Sequence, residues 1–287
     1  MKLKLFSIAL LVSFVGCKQI SDKQESHNEI TIQQTSSFSD TLNQLKKITD
    51  IKVPSGYARQ EAIAGSFMEY LRNLPIKDDR IVTLYNGLPK FNQLAHFAIL
   101  DIDVGDRDLQ QCADAVMRLR AEYLFHNKYF DKIHFNFTSG HKASYTQYAK
   151  GYRPKINGNQ VVWKLSAGED HSYKNFRKYM DLVFSYAGSY SLDKELKRVS
   201  ETCDIKPGDV FIQGGFPGHA VIVVDIAKHE KSNKKIFMLA QSYMPAQEIH
   251  ILKNPKNKEL SPWYPCDFQG ELKTPEWTFK KSDLKRW

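Results

Sequence analysis

Three polar residues stand where secondary-structure elements should begin or end. Cys112 falls near the first turn of an amphipathic helix, His219 opens the apolar run 220–224, and Gln241 closes the run 236–240. A thiol near a helix N-terminus meets free N–H groups and the positive end of the helix dipole, which favour the thiolate, and a neighbouring imidazole favours it further. The chemistry open to such a set is nucleophilic. The thiol attacks an acyl carbon, the imidazole takes the thiol proton and returns it to the leaving group, and a third side chain fixes the ring. Gln241 can fix it as a neutral acceptor. Asp225 is a rival, but it lies six residues beyond His219 on the same expected strand, roughly 20 Å away at about 3.3 Å per residue, and is discounted. The backbone N–H of Cys112 can help hold a tetrahedral oxyanion, with Gln110 or Gln111 adding a side-chain donor.

These residues need elements to position them. Asp106 or Asp108 can cap a helix in which Leu109, Cys112, Ala113, Val116, Leu119 and Tyr123 recur every three or four residues, placing Cys112 on the apolar face. Periodicity gives further helices over 61–73, stopped by Pro75, over 172–186 and over 192–199. Residues 81–85 run into the turn pair Asn86-Gly87, and a second apolar stretch follows at 97–100, so two strands are expected there. In the last third, short unbroken apolar runs at 210–212, 220–224, 236–240 and 248–252 suit strands buried on both faces. The aromatic, polar stretch 135–163 reads as an insertion over a cleft. Its Tyr145, Tyr148, Tyr152 and Trp163 suit either stacking on sugar rings or plain packing. His134, His141 and His171 lie in polar, loop-like sequence and read as solvated. The tail, with Trp263, Pro265, Pro275 and Trp277, reads as an irregular strap over the core.

Composition narrows the classes. The 287 residues carry 41 Lys+Arg against 32 Asp+Glu, a net charge of +9, and are 42% hydrophobic with four Cys, which excludes collagen-like, coiled-coil, disulfide-scaffold and wholly disordered chains. The basic residues alternate with acids in no long run, so no nucleic-acid partner is expected. No Cys-x-x-Cys pair, His-Glu-x-x-His run, calcium loop or Gly-rich phosphate loop occurs, and no metal or cofactor is expected.

The N-terminus carries an address. Lys2 and Lys4 precede an apolar stretch over 5–15 that ends at Gly16-Cys17, the three-part pattern of a secretory signal, too short to span a bilayer. A Cys after a small residue at that point resembles a bacterial lipoprotein signal, which implies that residues 1–17 are a signal segment and Cys17 the acylated residue. Residues 18–50, rich in Ser, Gln, Thr and Lys, suit a flexible tether. Lys18, with no Asp after Cys17, gives no inner-membrane retention cue, so the resemblance implies outer-membrane attachment in the cell envelope. Once Cys17 is lipidated, Cys112, Cys203 and Cys266 are an odd number, leaving at least one unpaired thiol. Whether Cys203 and Cys266 form the pair is left open by the sequence.

Asp108-Leu-Gln-Gln-Cys112-Ala-Asp at a helix start, Gly208-Asp209-Val-Phe-Ile before a turn, and Gly218-His219-Ala-Val-Ile-Val-Val at a strand start together resemble the papain-like cysteine hydrolases, especially the NlpC-type and CHAP-type cell-wall amidases and peptidases. The resemblance covers roughly residues 105–125 and 205–243. The whole chain also resembles a family of exported bacterial lipoproteins of unknown function. The first resemblance implies Cys112 as nucleophile, His219 as base and Gln241 as orienter. The expected fold is then a single α+β domain over 51–287, with a papain-like core, its nucleophile-bearing helix packed on an antiparallel sheet, and an aromatic-rich insertion. The expected function is hydrolysis of an amide or ester bond in an envelope polymer or peptide, with a peptidoglycan stem peptide as the leading substrate, by a monomer that meets the membrane through its lipid alone. Two other readings are carried: a non-catalytic envelope lipoprotein binding glycan, peptide or a protein partner in the same cleft, and a structural subunit of a surface complex.

Overall fold

Apolar residues start the fold earlier than the polar stretch before them suggests. The computed structural model describes residues 45–287. The signal segment 1–17 with Cys17, and the tether as far as residue 44, lie outside the described residues. Residues 45–50, expected as the end of the tether, belong to the folded unit. Leu45 and Ile48 are buried, and a 3-10 turn covers Ile48–Asp50. The Asp50 carboxylate accepts from the N–H groups of Lys46 (2.8 Å) and Lys47 (3.0 Å). Two apolar residues three apart sufficed to reach the core despite the lysines between them.

The strands are β1 (Tyr57–Arg59), β2 (His96–Ile99), β3 (His134–Asn136), β4 (Lys142–Ser144), β5 (Tyr152–Asn157), β6 (Gln160–Leu165), β7 (Lys197–Arg198), β8 (Val210–Gln213), β9 (His219–His229), β10 (Lys235–Gln241), β11 (His250–Leu252), β12 (Trp263–Pro265), β13 (Leu272–Lys273), β14 (Thr278–Phe279) and β15 (Leu284–Arg286). The helices are α1 (Phe67–Arg72), α2 (Cys112–His126), α3 (Tyr145–Ala149), α4 (Tyr173–Tyr186) and α5 (Ser189–Glu195). The result is a mixed α and β fold with a large antiparallel sheet and few helices. That sheet has nine strands in the order β2-β11-β10-β9-β8-β15-β7, with β1 also on β9 and β12 also on β10. Its centre is continuous apolar sequence, as two-sided burial requires. From β9, Val221 and Val223 join Phe211, Phe237, Leu239 and Phe279 in one buried cluster, and α2 packs against the same strand. No helix among the described residues is long and apolar enough to cross a membrane.

Several local expectations shift. The helix expected over 61–73 begins only at Phe67, because Ser66 takes the Glu69 N–H on its hydroxyl (3.2 Å) and caps it there. Residues 81–85 form no strand, only isolated bridges to Pro89 and Gln247: the Gln93 side chain takes the Val82 N–H (3.0 Å), and the Val82 carbonyl is shared by the Gln93 amide (2.8 Å) and the Lys90 N–H (2.8 Å). The last helix sits at 189–195, not 192–199, because Lys197 and Arg198 pair with β15. The aromatic insertion is two hairpins, β3-β4 and β5-β6, flanking α3. Tyr145 and Tyr148 are buried and pack on Tyr179 of α4.

Candidate functional site

The start of α2 is held from two sides. The Gln111 N–H donates to Asp114 Oδ2 (3.1 Å), and the first helical bond runs from the Ala115 N–H to the Gln111 carbonyl (2.9 Å). Asp106 and Asp108 do not cap this helix. Asp108 Oδ1 instead accepts from the Ala246 N–H (2.7 Å) and from Gln111 Nε2 (3.0 Å), tying the helix start to the chain after β10. Cys112, at the first helical position, is half-buried and lines a cleft of about 410 Å³ walled by Gln111, Asp114, Ser189, Tyr190, Phe216 and Met244. The cleft contains none of Tyr145, Tyr148, Tyr152 or Trp163.

The N–H groups of Ala220, Ala113 and Cys112 face the sulfur and favour its thiolate, as a helix start should. Burial and the Asp114 charge outweigh them, and the thiol is pushed from 9.0 up to about 11. The lowered thiol pKa expected from helix position alone is therefore reversed. Asp114 is itself buried, its Oδ1 has no hydrogen-bond partner, and burial holds its carboxyl well above the usual range.

His219 is 1% exposed. Its Nε2 lies 2.9 Å from Gln241 Oε1. The amide orientation follows from its other end, where Gln241 Nε2 donates to Glu276 Oε2 (2.7 Å) and faces His250 Nε2 at 3.4 Å. His250 Nδ1 is committed to the Glu248 carbonyl (2.9 Å), which leaves His250 Nε2 as an acceptor. Glu276 is in turn held by Lys90 Nζ (2.5 Å) and Asn92 Nδ2 (3.3 Å). With Gln241 Oε1 facing the ring, His219 carries its proton on Nε2 and its lone pair on Nδ1, the form a general base needs. Tyr243 (4.8 Å between ring centroids), Trp277 (5.2 Å) and Phe279 (5.9 Å) surround the imidazole. Burial lowers its pKa from 6.5 to about 4, against the pull of the Gln241 bond and with the help of the Lys90 charge.

The structure thus joins His219 to Gln241 directly and brings Cys112 to the same strand start. The sulfur meets the N–H of Ala220, the residue after His219, and no hydrogen bond joins it to the ring. Tyr243 spans the two, with its ring against His219 and its phenol raised by burial, by Glu276 and by Cys112. The glycine before His219 is required by close approach: a Cβ on Gly218 would lie 2.3 Å from Ser189 Oγ and 2.6 Å from the Gly215 carbonyl oxygen.

Two expected support residues do not serve the sulfur. Gln110 is buried with Oε1 on Arg118 Nη1 (2.9 Å), and the Gln111 amide is taken by Asp108. Backbone N–H groups are the donors that remain there. Asp225, discounted as orienter, is buried between Arg59 and Arg72, 2.6 Å from each, in a structural ion cluster. Asp209, in the Gly208-Asp209 motif, is bound by Arg286 at 2.6 and 2.7 Å. Sequence reasoning missed Glu276, Lys90, Tyr243 and Asp114. Of these, Tyr243 and Asp114 each lie two residues from a residue already singled out, whereas nothing local marks Lys90 or Glu276. Cys203 and Cys266 form a disulfide, and Cys112 is the one free cysteine among the described residues. No group of His, Cys, Asp and Glu among them is placed to hold a metal ion.

The family model described as a domain of unknown function (4846) matches residues 48–286, and the chain belongs to that family. No curated protein and no solved structure matches the chain.

Proposed function

We propose that this member of the family is a cysteine hydrolase of papain-like design, tethered by lipid at Cys17 to the cell envelope, an acyl-transfer enzyme acting on an amide or ester bond. The observation that carries this reading is the fixed tautomer of His219, held by an amide that Glu276 orients, beside a free thiol that opens on a cleft. Cys112 Sγ attacks the acyl carbon, its proton passes to His219 Nδ1, and the N–H groups of Cys112, Ala113 and Ala220 offer donors for the oxyanion. The C–N or C–O bond then breaks and the leaving group takes the proton from Nδ1. Water, deprotonated by Nδ1, cleaves the thioester to a carboxylic acid and the thiol. Because burial keeps both thiol and imidazole neutral at rest, proton transfer accompanies attack. The Cys203–Cys266 disulfide supports an oxidising compartment, and peptidoglycan stem peptides supply amide bonds there.

The raised thiol favours a second reading, a non-catalytic envelope lipoprotein that binds peptide, glycan or a protein partner in the same cleft. The full chain mixed with p-nitrophenyl acetate separates the two. The hydrolase gives a nitrophenolate burst and an acetyl adduct mapped to Cys112, both lost in Cys112→Ala and His219→Ala. Absence of an adduct in the wild type removes the hydrolase reading and leaves the binding module.

A further inference from the structure

A second cavity, of about 450 Å³, shares Leu109 and Phe184 with the Cys112 cleft as a common wall. Gln110 lines it and is 1% exposed. Its Oε1 accepts from Arg118, which fixes the amide and leaves Nε2 as the free end, and that Nε2 is buried without a hydrogen-bond partner. Arg177 of α4 lines the same cavity, and its Nη1 is likewise buried and unpartnered. Its other nitrogen, Nη2, lies 3.8 Å from Asp103 Oδ2, an ion pair too long for a hydrogen bond. Arg107 and Asp181 satisfy each other at 2.5 Å. Two residues that line one cavity, one of them charged, therefore each carry a buried donor with nothing in the protein to accept from it.

Both groups donate only, so the complementary ligand is an acceptor, and the guanidinium favours a charged one. Asp103 and Asp106 on the exposed side oppose a multiply charged anion. We propose that this cavity is a subsite for a single carboxylate, bound by Gln110 Nε2 and Arg177 Nη1. Across the shared wall, that carboxylate belongs to the molecule whose acyl group reaches Cys112. This second clause rests on the hydrolase reading, whereas the carboxylate site itself does not.

Two measurements on the full chain keep the failures apart. The first compares p-nitrophenyl monoesters of linear dicarboxylic acids of increasing length with their methyl-capped, neutral counterparts. At the length that spans the wall, the free acid half-saturates acylation at a concentration at least about tenfold lower, as expected for a charge-assisted hydrogen bond. Arg177→Gln and Gln110→Leu abolish that advantage without slowing acylation by the neutral ester, and Arg177→Lys restores part of it. The second follows the unfolding midpoint with added glutarate, with phosphate as the control. Glutarate raises the midpoint of the wild type but not of Arg177→Gln, and phosphate raises neither. A glutarate effect without any acylation upholds the carboxylate site while the hydrolase reading falls. Equal half-saturation of acid and neutral esters at every length overturns the substrate clause. A midpoint indifferent to glutarate, or equally responsive to phosphate, overturns the site.

Discussion

A glutamine can orient an imidazole only if its own amide is kept from turning over, since its oxygen and nitrogen occupy nearly the same space. Here the lock is Glu276, which accepts from Gln241 Nε2 and is neutralised by the buried Lys90. Replacing Glu276 with Ala leaves only the long approach to His250 Nε2 (3.4 Å) to hold the amide, so Nε2 can turn to the ring. His219 then moves its proton to Nδ1 and ceases to be a base toward the thiol. We expect Glu276→Ala to slow acylation by about 10²-fold, the low end of general-base contributions. Alkylation of Cys112 by iodoacetamide at high pH, which needs only the thiolate, should be unchanged. Gln241→Ala should cost as much, and the double variant little more, because both act through one tautomer. Acylation at wild-type rate in Glu276→Ala would show that nothing depends on the lock.

At the scale of elements, the sheet strands that carry His219 and Gln241 were legible because each is an unbroken apolar run ended by one polar residue, and β8, β9 and β10 lie close to where those runs predict. The start of α2 was legible in position but not in its cap, because three aspartates and two glutamines compete there: a long-range partner, the Ala246 N–H, takes Asp108, and the local bond from the Gln111 N–H goes to Asp114. The strap was not legible as a site element at all. Glu276 reaches Gln241 across 35 residues and Lys90 across 186, separations for which a single sequence carries no periodic signal. What fixes the strap is β12 on β10, the Arg286–Asp209 pair, the bond from Trp277 Nε1 to Gln213 Oε1 (3.0 Å), and the disulfide from Cys203 to Cys266. The disulfide closes a separation of 63 residues, so the chain-entropy model predicts that Cys203→Ala/Cys266→Ala loses about 4 kcal/mol. The denaturation midpoint at constant slope measures this loss. A loss below about 1 kcal/mol would assign the strap's stability to its strand pairing and ion pair instead.

For the whole molecule, the two buried groups at the site set opposite edges of one pH range. His219 has its pKa lowered from 6.5 to about 4, so between those values the unfolded chain binds a proton that the folded chain refuses, and stability falls as pH drops through that window. Cys112 has its pKa raised from 9.0 to about 11, so between those values the unfolded chain releases a proton that the folded chain keeps, and stability falls as pH rises through it. His250, also lowered by burial, steepens the acid edge. These histidine and thiol contributions together are largest from about pH 6.5 to 9, while Asp114, its carboxyl raised by burial, works against them by losing stability as pH rises above 3.8. Cys112→Ala should flatten the alkaline edge and leave the acid edge alone, which unfolding midpoints across pH will show. The same proton states govern the chemistry. If a neutral thiol attacks while neutral His219 takes its proton, acylation by p-nitrophenyl acetate rises as pH passes about 4 and then holds level, whereas iodoacetamide alkylation keeps climbing toward pH 11 with the thiolate. Parallel climbing of both reactions would mean that His219 contributes no base catalysis, and that burial has left Cys112 an ordinary, poorly ionised thiol.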